Sequence, residues 1–126
     1  MERSIEVFVV ILLSVIGLSH LVQPVAWAKY FILLRGKEEA GAFVDGLLHL
    51  PLAAFIIVFH NVWSGIPAVL TLLGWAFLIK SLIRLCAPKL ALRAMARVSI
   101  ERAWEFQLAG AGLVALAGLL GYGLSA

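Results

Sequence analysis

Residues 42–63 read AFVDGLLHLPLAAFIIVFHNVW. This stretch of 22 residues is long and apolar enough to cross the ~30 Å hydrocarbon core of a bilayer as a helix. Yet it carries Asp45, His49 and His60, with Pro51 in its middle. Polar groups cost free energy in lipid, so they turn toward other helices or water rather than acyl chains. The stretch therefore demands neighbours. Three further apolar segments, at about 5–22, 67–87 and 104–124, supply them. The pattern predicts an all-α fold: an integral membrane four-helix bundle forming one domain over residues 1–126.

Composition supports this. The chain is 63% hydrophobic, against ~45–50% for soluble domains, and its mean hydropathy is +1.07. Net charge is +3. A basic balance raises nucleic-acid binding, but here Lys and Arg cluster beside the spans and read as topology signals, with the lipid bilayer as partner and no nucleic acid. Cys86 is the only cysteine, so neither an intrachain disulfide nor a cysteine-based zinc cluster can form. The N-terminal MERSIEVFVVILLSVIG has Arg3 before an apolar run, as a signal peptide would, but Glu2 and Glu6 spoil a positive n-region and no A-x-A-like site follows. It is expected to be a retained first span.

Pro24 should bend or break the helix after span 1. In VAWAKYFILLR beyond it, Trp27 and Tyr30 suit headgroup depth, and Lys29 and Arg35 can extend to the same interface. GKEEAG, residues 36–41, ends this piece. The uncharged link Ser64-Gly65-Ile66-Pro67 forces spans 2 and 3 into an antiparallel hairpin, and Pro88 stops span 3. Next, Lys89, Arg93 and Arg97 form a basic stripe opposite Leu90, Ala94, Met95 and Val98. Short amphipathic interfacial segments are thus expected after spans 1 and 3. Ser99 is a candidate N-cap for the last helix.

Span 4 is rich in small residues. Gly110, Ala117 and Gly121 recur on one side, and Ala111, Ala115 and Gly118 on a neighbouring side. Such faces let helix backbones approach closely, within the monomer or across a homo-oligomer or membrane-protein partner. Both basic connections, between spans 1 and 2 and between spans 3 and 4, are expected on the cytoplasmic side of a bacterial inner membrane, with both termini outside.

Counting depth from the outer ends at ~1.5 Å per residue, His20, His49 and Lys80 all lie about 20 Å down. Asp45, Arg84 and Gln107 lie one turn deeper, and Glu105 slightly deeper still. Asp45 and His49 share a face of span 2; Lys80 and Arg84 share a face of span 3. Three readings compete for this polar layer. It pairs the helices and fixes their register; or it is an ionisable site for a proton, ion or small polar substrate; or His20 and His49 ligate haem b or a metal ion between helices. His60 and Asn61 form a separate outer-end candidate, either satisfying free helix-end carbonyls or making a small outward-facing site. Ser19, His20 and Asp45 could be written as a triad, but nothing in the sequence orders them. No P-loop, GxGxxG, HExxH or GxSxG motif occurs.

The run HNVW…TLLGWAFLIKSL…P from His60 to Pro88, with Ser19-His20…Gln23-Pro24…Trp27, resembles a pattern of small four-helix bacterial inner-membrane proteins over residues 19–88. That resemblance implies a class and no activity. The chain is unlike small multidrug transporters, because Glu6 sits at the outer end of span 1, and it lacks a fluoride-channel glycine–arginine signature. Its helix count is similar to that of DoxX-like proteins, an analogy of fold alone. Three function classes follow: a non-catalytic accessory or assembly protein, which the small size favours; a small oligomeric transporter or channel using the polar layer; and a haem- or metal-binding subunit.

Overall fold

A computed structural model describes residues 2–125. It is all-helical: α1 Glu2–Val22, α2 Pro24–Gly36, α3 Glu39–Phe59, α4 Pro67–Cys86, α5 Pro88–Met95 and α6 Trp104–Ser125. Pro24, Pro67 and Pro88 each open a helix, where a missing N–H costs nothing and φ is already helical. Four helices, α1, α3, α4 and α6, are long and apolar enough to cross a membrane.

These four form two antiparallel pairs, α1 with α6 and α3 with α4. Each pair closes at glycine. A Cβ on Gly110 of α6 would lie 2.6 Å from the Gly17 carbonyl oxygen of α1 and 2.7 Å from His20 Cβ. In the other pair, Gly74 lies hard against Ile56, and a Cβ on Gly46 would meet Arg84 and Leu85 at 3.0 Å. The pairs touch each other sparingly along most of their length. They join at one end through a core of Ile5, Val9, Leu13, Ile56, Leu70, Ala117 and Leu120. At the other end α2 packs on α3 and α6, and α5 packs on α3, α4 and α2.

Several expectations need correction. The second long helix stops at Phe59 rather than Trp63, because His60 leaves the helix at φ −135° and ψ 96° and turns its ring to Thr71. The hairpin link is therefore residues 60–66. Ser99 caps only a turn: its Oγ accepts from the Arg102 N–H at 3.3 Å, and α6 begins at Trp104. On α5 the packed residues are Ala91 and Met95, whereas Leu90 and Ala94 are exposed. Arg35 does not reach outward. Its Nη1 donates to the carbonyls of Met95, Ala96 and Val98 at 3.1, 3.2 and 2.9 Å, satisfying the acceptors left free where α5 ends. On α6, Gly110 and Ala117 are buried, whereas Ala111, Ala115 and Gly118 are exposed.

Candidate functional site

Where the shared core ends, at Leu13, the two pairs diverge around a cleft of about 1330 Å³. Helices α1, α2, α3, α4 and α6 all line it. Toward the core its walls are Phe8, Leu12, Leu52 and Phe55. Toward α2 they turn polar, with Ser19, His20 and Gln23 on one side and Asp45, His49 and Lys80 on the other. The cleft is thus amphipathic along its length.

The polar end is ordered by local bonds. Asp45 is buried at 2% exposure and accepts from Arg84 Nε, so a carboxylate and a guanidinium on facing helices neutralise each other. His49 sits one turn on. Its Nδ1 lies 2.7 Å from the Asp45 carbonyl oxygen, which can only accept, so Nδ1 carries the proton and Nε2 is the acceptor. Lys80 Nζ approaches that Nε2 at 3.4 Å. His20 has the same tautomer for the same reason, with Nδ1 2.7 Å from the Ile16 carbonyl oxygen.

Trp27 and Tyr30 face inward, into the cleft. The Trp27 indole stacks on His20 with centroids 4.0 Å apart, and its Nε1 donates to Ser19 Oγ at 2.9 Å. Ser19 Oγ accepts that bond, but no relay with Asp45 forms, because His20 Nδ1 is held by the Ile16 carbonyl and Asp45 is paired with Arg84. Burial, and then the Asp45 carboxylate, push the Tyr30 phenol up from its ordinary 10.0, so it remains a neutral O–H donor at the cleft.

Depth alone did not decide membership. The structure gathers His20, Asp45, His49, Lys80 and Arg84, but Glu105 and Gln107 lie elsewhere. Glu105 accepts from Arg97 Nη2 at 2.8 Å on the surface, and Gln107 is exposed, its Nε2 3.5 Å from the Leu21 carbonyl oxygen. His20 and His49 share the cleft, and among the described residues no three His, Cys, Asp or Glu side chains gather to hold a metal. Both imidazoles are held at Nδ1 by a carbonyl, as ligating histidines are. Lys80, however, competes for the His49 lone pair.

The outer candidates separate as well. Asn61 is exposed and accepts from the Trp63 indole. His60 is not outward-facing: its exposure is 0%. Its Nδ1 is 2.9 Å from Thr71 Oγ1, and that hydroxyl gives its own proton to the Val62 carbonyl oxygen at 2.7 Å. His60 Nδ1 is therefore the donor, and Nε2 points at Glu6 Oε2 at 3.4 Å. Glu6 was visible only as a polar residue near the start of an apolar run; nothing in the sequence linked it to His60.

Compared with protein-family models, curated proteins and solved structures, the chain matches none.

Proposed function

We propose that this chain is a multi-pass protein of a bacterial cytoplasmic membrane that binds an amphipathic, lipid-soluble molecule in the cleft without catalysing a reaction on it. Insertion is supported by the outward faces of the long helices. Ile11, Val15, Leu47, Val58, Leu72 and Leu108 are all exposed, a continuity of apolar surface that water penalises and acyl chains accept. Orientation is supported by charge. Lys29, Arg35 and Lys37, with Lys89, Arg93, Arg97 and Arg102, lie in the connections at the α2–α5 end, which the positive-inside rule assigns to the cytoplasm.

The observation that carries the binding reading is the cleft itself. At about 1330 Å³ it exceeds the ~300–1,000 Å³ of pockets for drug-sized ligands, which suits a molecule bearing a long chain. Its polarity is confined to one end, which suits a head group at the depth of His20, His49 and Lys80. The same polar groups also register the helices, through Asp45 and Arg84, so the accessory and binding readings share one network.

Native mass spectrometry of the protein released from nanodiscs tests this. One amphiphile should be retained above its abundance in the membrane. Ala109→Phe, which fills the cleft wall, should release it while thermal stability is kept. Retention of bulk lipids in membrane proportion, unchanged by Ala109→Phe, would refute the reading. A second reading, haem held by His20 and His49, is favoured by their shared cleft and fixed tautomers. A reduced-minus-oxidised absorption spectrum after haem-replete expression decides it.

A further inference from the structure

At the polar end of the cleft every charged group and ring N–H but one has its partner among the described residues. Asp45 has Arg84, His49 Nδ1 and His20 Nδ1 have backbone carbonyls, and Trp27 Nε1 has Ser19. Lys80 does not. An ammonium has three protons to donate and no acceptor of its own. Among the described residues its one hydrogen-bond partner is His49 Nε2 at 3.4 Å, which is uncharged in this tautomer. Among the described residues no carboxylate lies within ion-pairing distance of Lys80. The nearby acid, Asp45, is taken by Arg84, which does not line the cleft.

The other elements around Lys80 do not supply the missing charge. From α1 comes His20; from α2 comes Tyr30, a neutral phenol; α6 contributes Phe106, Ala109 and Leu113. The cleft wall therefore holds one acid with its own counter-ion and one base without any.

We propose that the bound amphiphile has an anionic head, a carboxylate or a phosphate monoester, that pairs with Lys80 while its chain lies along Leu12, Leu52 and Phe55. This rests on the cleft being a binding site at all. Lys80 is partly buried, and a charge-assisted bond is stronger than a neutral one. A neutral head such as an ester would leave the ammonium uncompensated. Tyr30 and the second face of Lys80 are the donors that remain for the other head-group oxygens.

Trp27 reports on the site, because it lines the cleft and Trp63, Trp75 and Trp104 are exposed. A full-length variant with Trp63→Phe, Trp75→Phe and Trp104→Phe leaves Trp27 as the sole emitter. In detergent this protein is titrated with bromine-labelled stearic acid, its methyl ester, bromine-labelled stearyl phosphate, and inorganic phosphate. The expected result is saturable quenching by the acid or the alkyl phosphate, about tenfold tighter than by the ester. Lys80→Met should abolish that preference, and Lys80→Arg should keep it. Which acid binds more tightly identifies the head. Inorganic phosphate should not displace either one; displacement would show a site for the anion alone and overturn the chain-bearing ligand. Equal binding of acid and ester, unchanged by Lys80→Met, overturns the anionic head and leaves the cleft reading standing. Absence of saturable quenching by all three labelled probes removes both.

Discussion

His60 Nε2 faces Glu6 Oε2 at 3.4 Å, in a place where His60 is wholly buried and Thr71 has already fixed its other nitrogen as the donor. Among the described residues Nε2 has no hydrogen-bond partner, and Glu6 is the polar side chain that faces it. The contact links α1 to the residue that follows α3, beside the core that holds Ile5, Val9, Leu13 and Ile56. Glu6→Gln retains a donor, because its amide N–H can serve Nε2. Glu6→Leu leaves a buried nitrogen with nothing. The loss expected for Glu6→Leu is about 1–3 kcal/mol, and Glu6→Gln should stay close to the parent. Thermal denaturation in detergent compares them, and equal melting of the two variants would show that His60 Nε2 takes no bond from the side chain at position 6.

Asp45 and Arg84 invite the same comparison in a stronger form. Removing one member of a buried ion pair strands the other charge, at about 3–5 kcal/mol, whereas replacing both with apolar groups can be neutral. Arg84→Met alone should therefore destabilise more than Asp45→Leu with Arg84→Met together. Chemical denaturation in mild detergent measures this. A double variant less stable than the single one would mean that the pair is not what joins α3 to α4 there.

Glycine positions on α6 should divide sharply. A Cβ at Gly110 meets backbone on α1, which has little room to yield, while a Cβ at Gly112 meets nothing within 4 Å. Gly110→Ala should cost about 1–3 kcal/mol through overpacking. Gly112→Ala should be neutral or should gain up to ~1 kcal/mol of helix propensity. A pair of melting curves suffices, and similar losses at both sites would contradict the described α1–α6 contact.

Orientation can be read through the lone cysteine. Cys86 is exposed at the end of α4, on the side of α5. A membrane-impermeant maleimide should label it in inverted vesicles and not in spheroplasts. Ser64→Cys with Cys86→Ser should show the reverse. Labelling of Cys86 from the outer face would invert the proposed topology.

These particulars also show what the chain discloses before it folds. Helix positions are legible because apolar runs of span length are bounded by Pro24, Pro67 and Pro88. A count along each helix groups His20, His49 and Lys80, and all three line one cleft. Direction around the axis is not legible. Glu105 and Gln107 have the right depth and the wrong azimuth, so they miss the cleft. Composition alone suits Trp27 and Arg35 to the interface, as amphipathic side chains at a helix end. Here Ser19 and the open end of α5 offered them better partners. The Glu6–His60 contact joins residues more than fifty positions apart, and neither carries a local sign of the other.

The pairing of α1 with α6 has a consequence for how the protein is made. Helices α3 and α4 are consecutive and can close their hairpin as soon as both leave the ribosome. Helix α1 is made before that hairpin, and its partner α6 is made after it. Until α6 is synthesised, the notch at Gly17 and the face bearing Ile5, Val9 and Leu13 lack their final cover. Chain closure over such a separation is slow compared with local contacts. Truncation before α6 should therefore not give a smaller stable bundle. It should leave a hairpin with a loose first helix, exposed to membrane proteases.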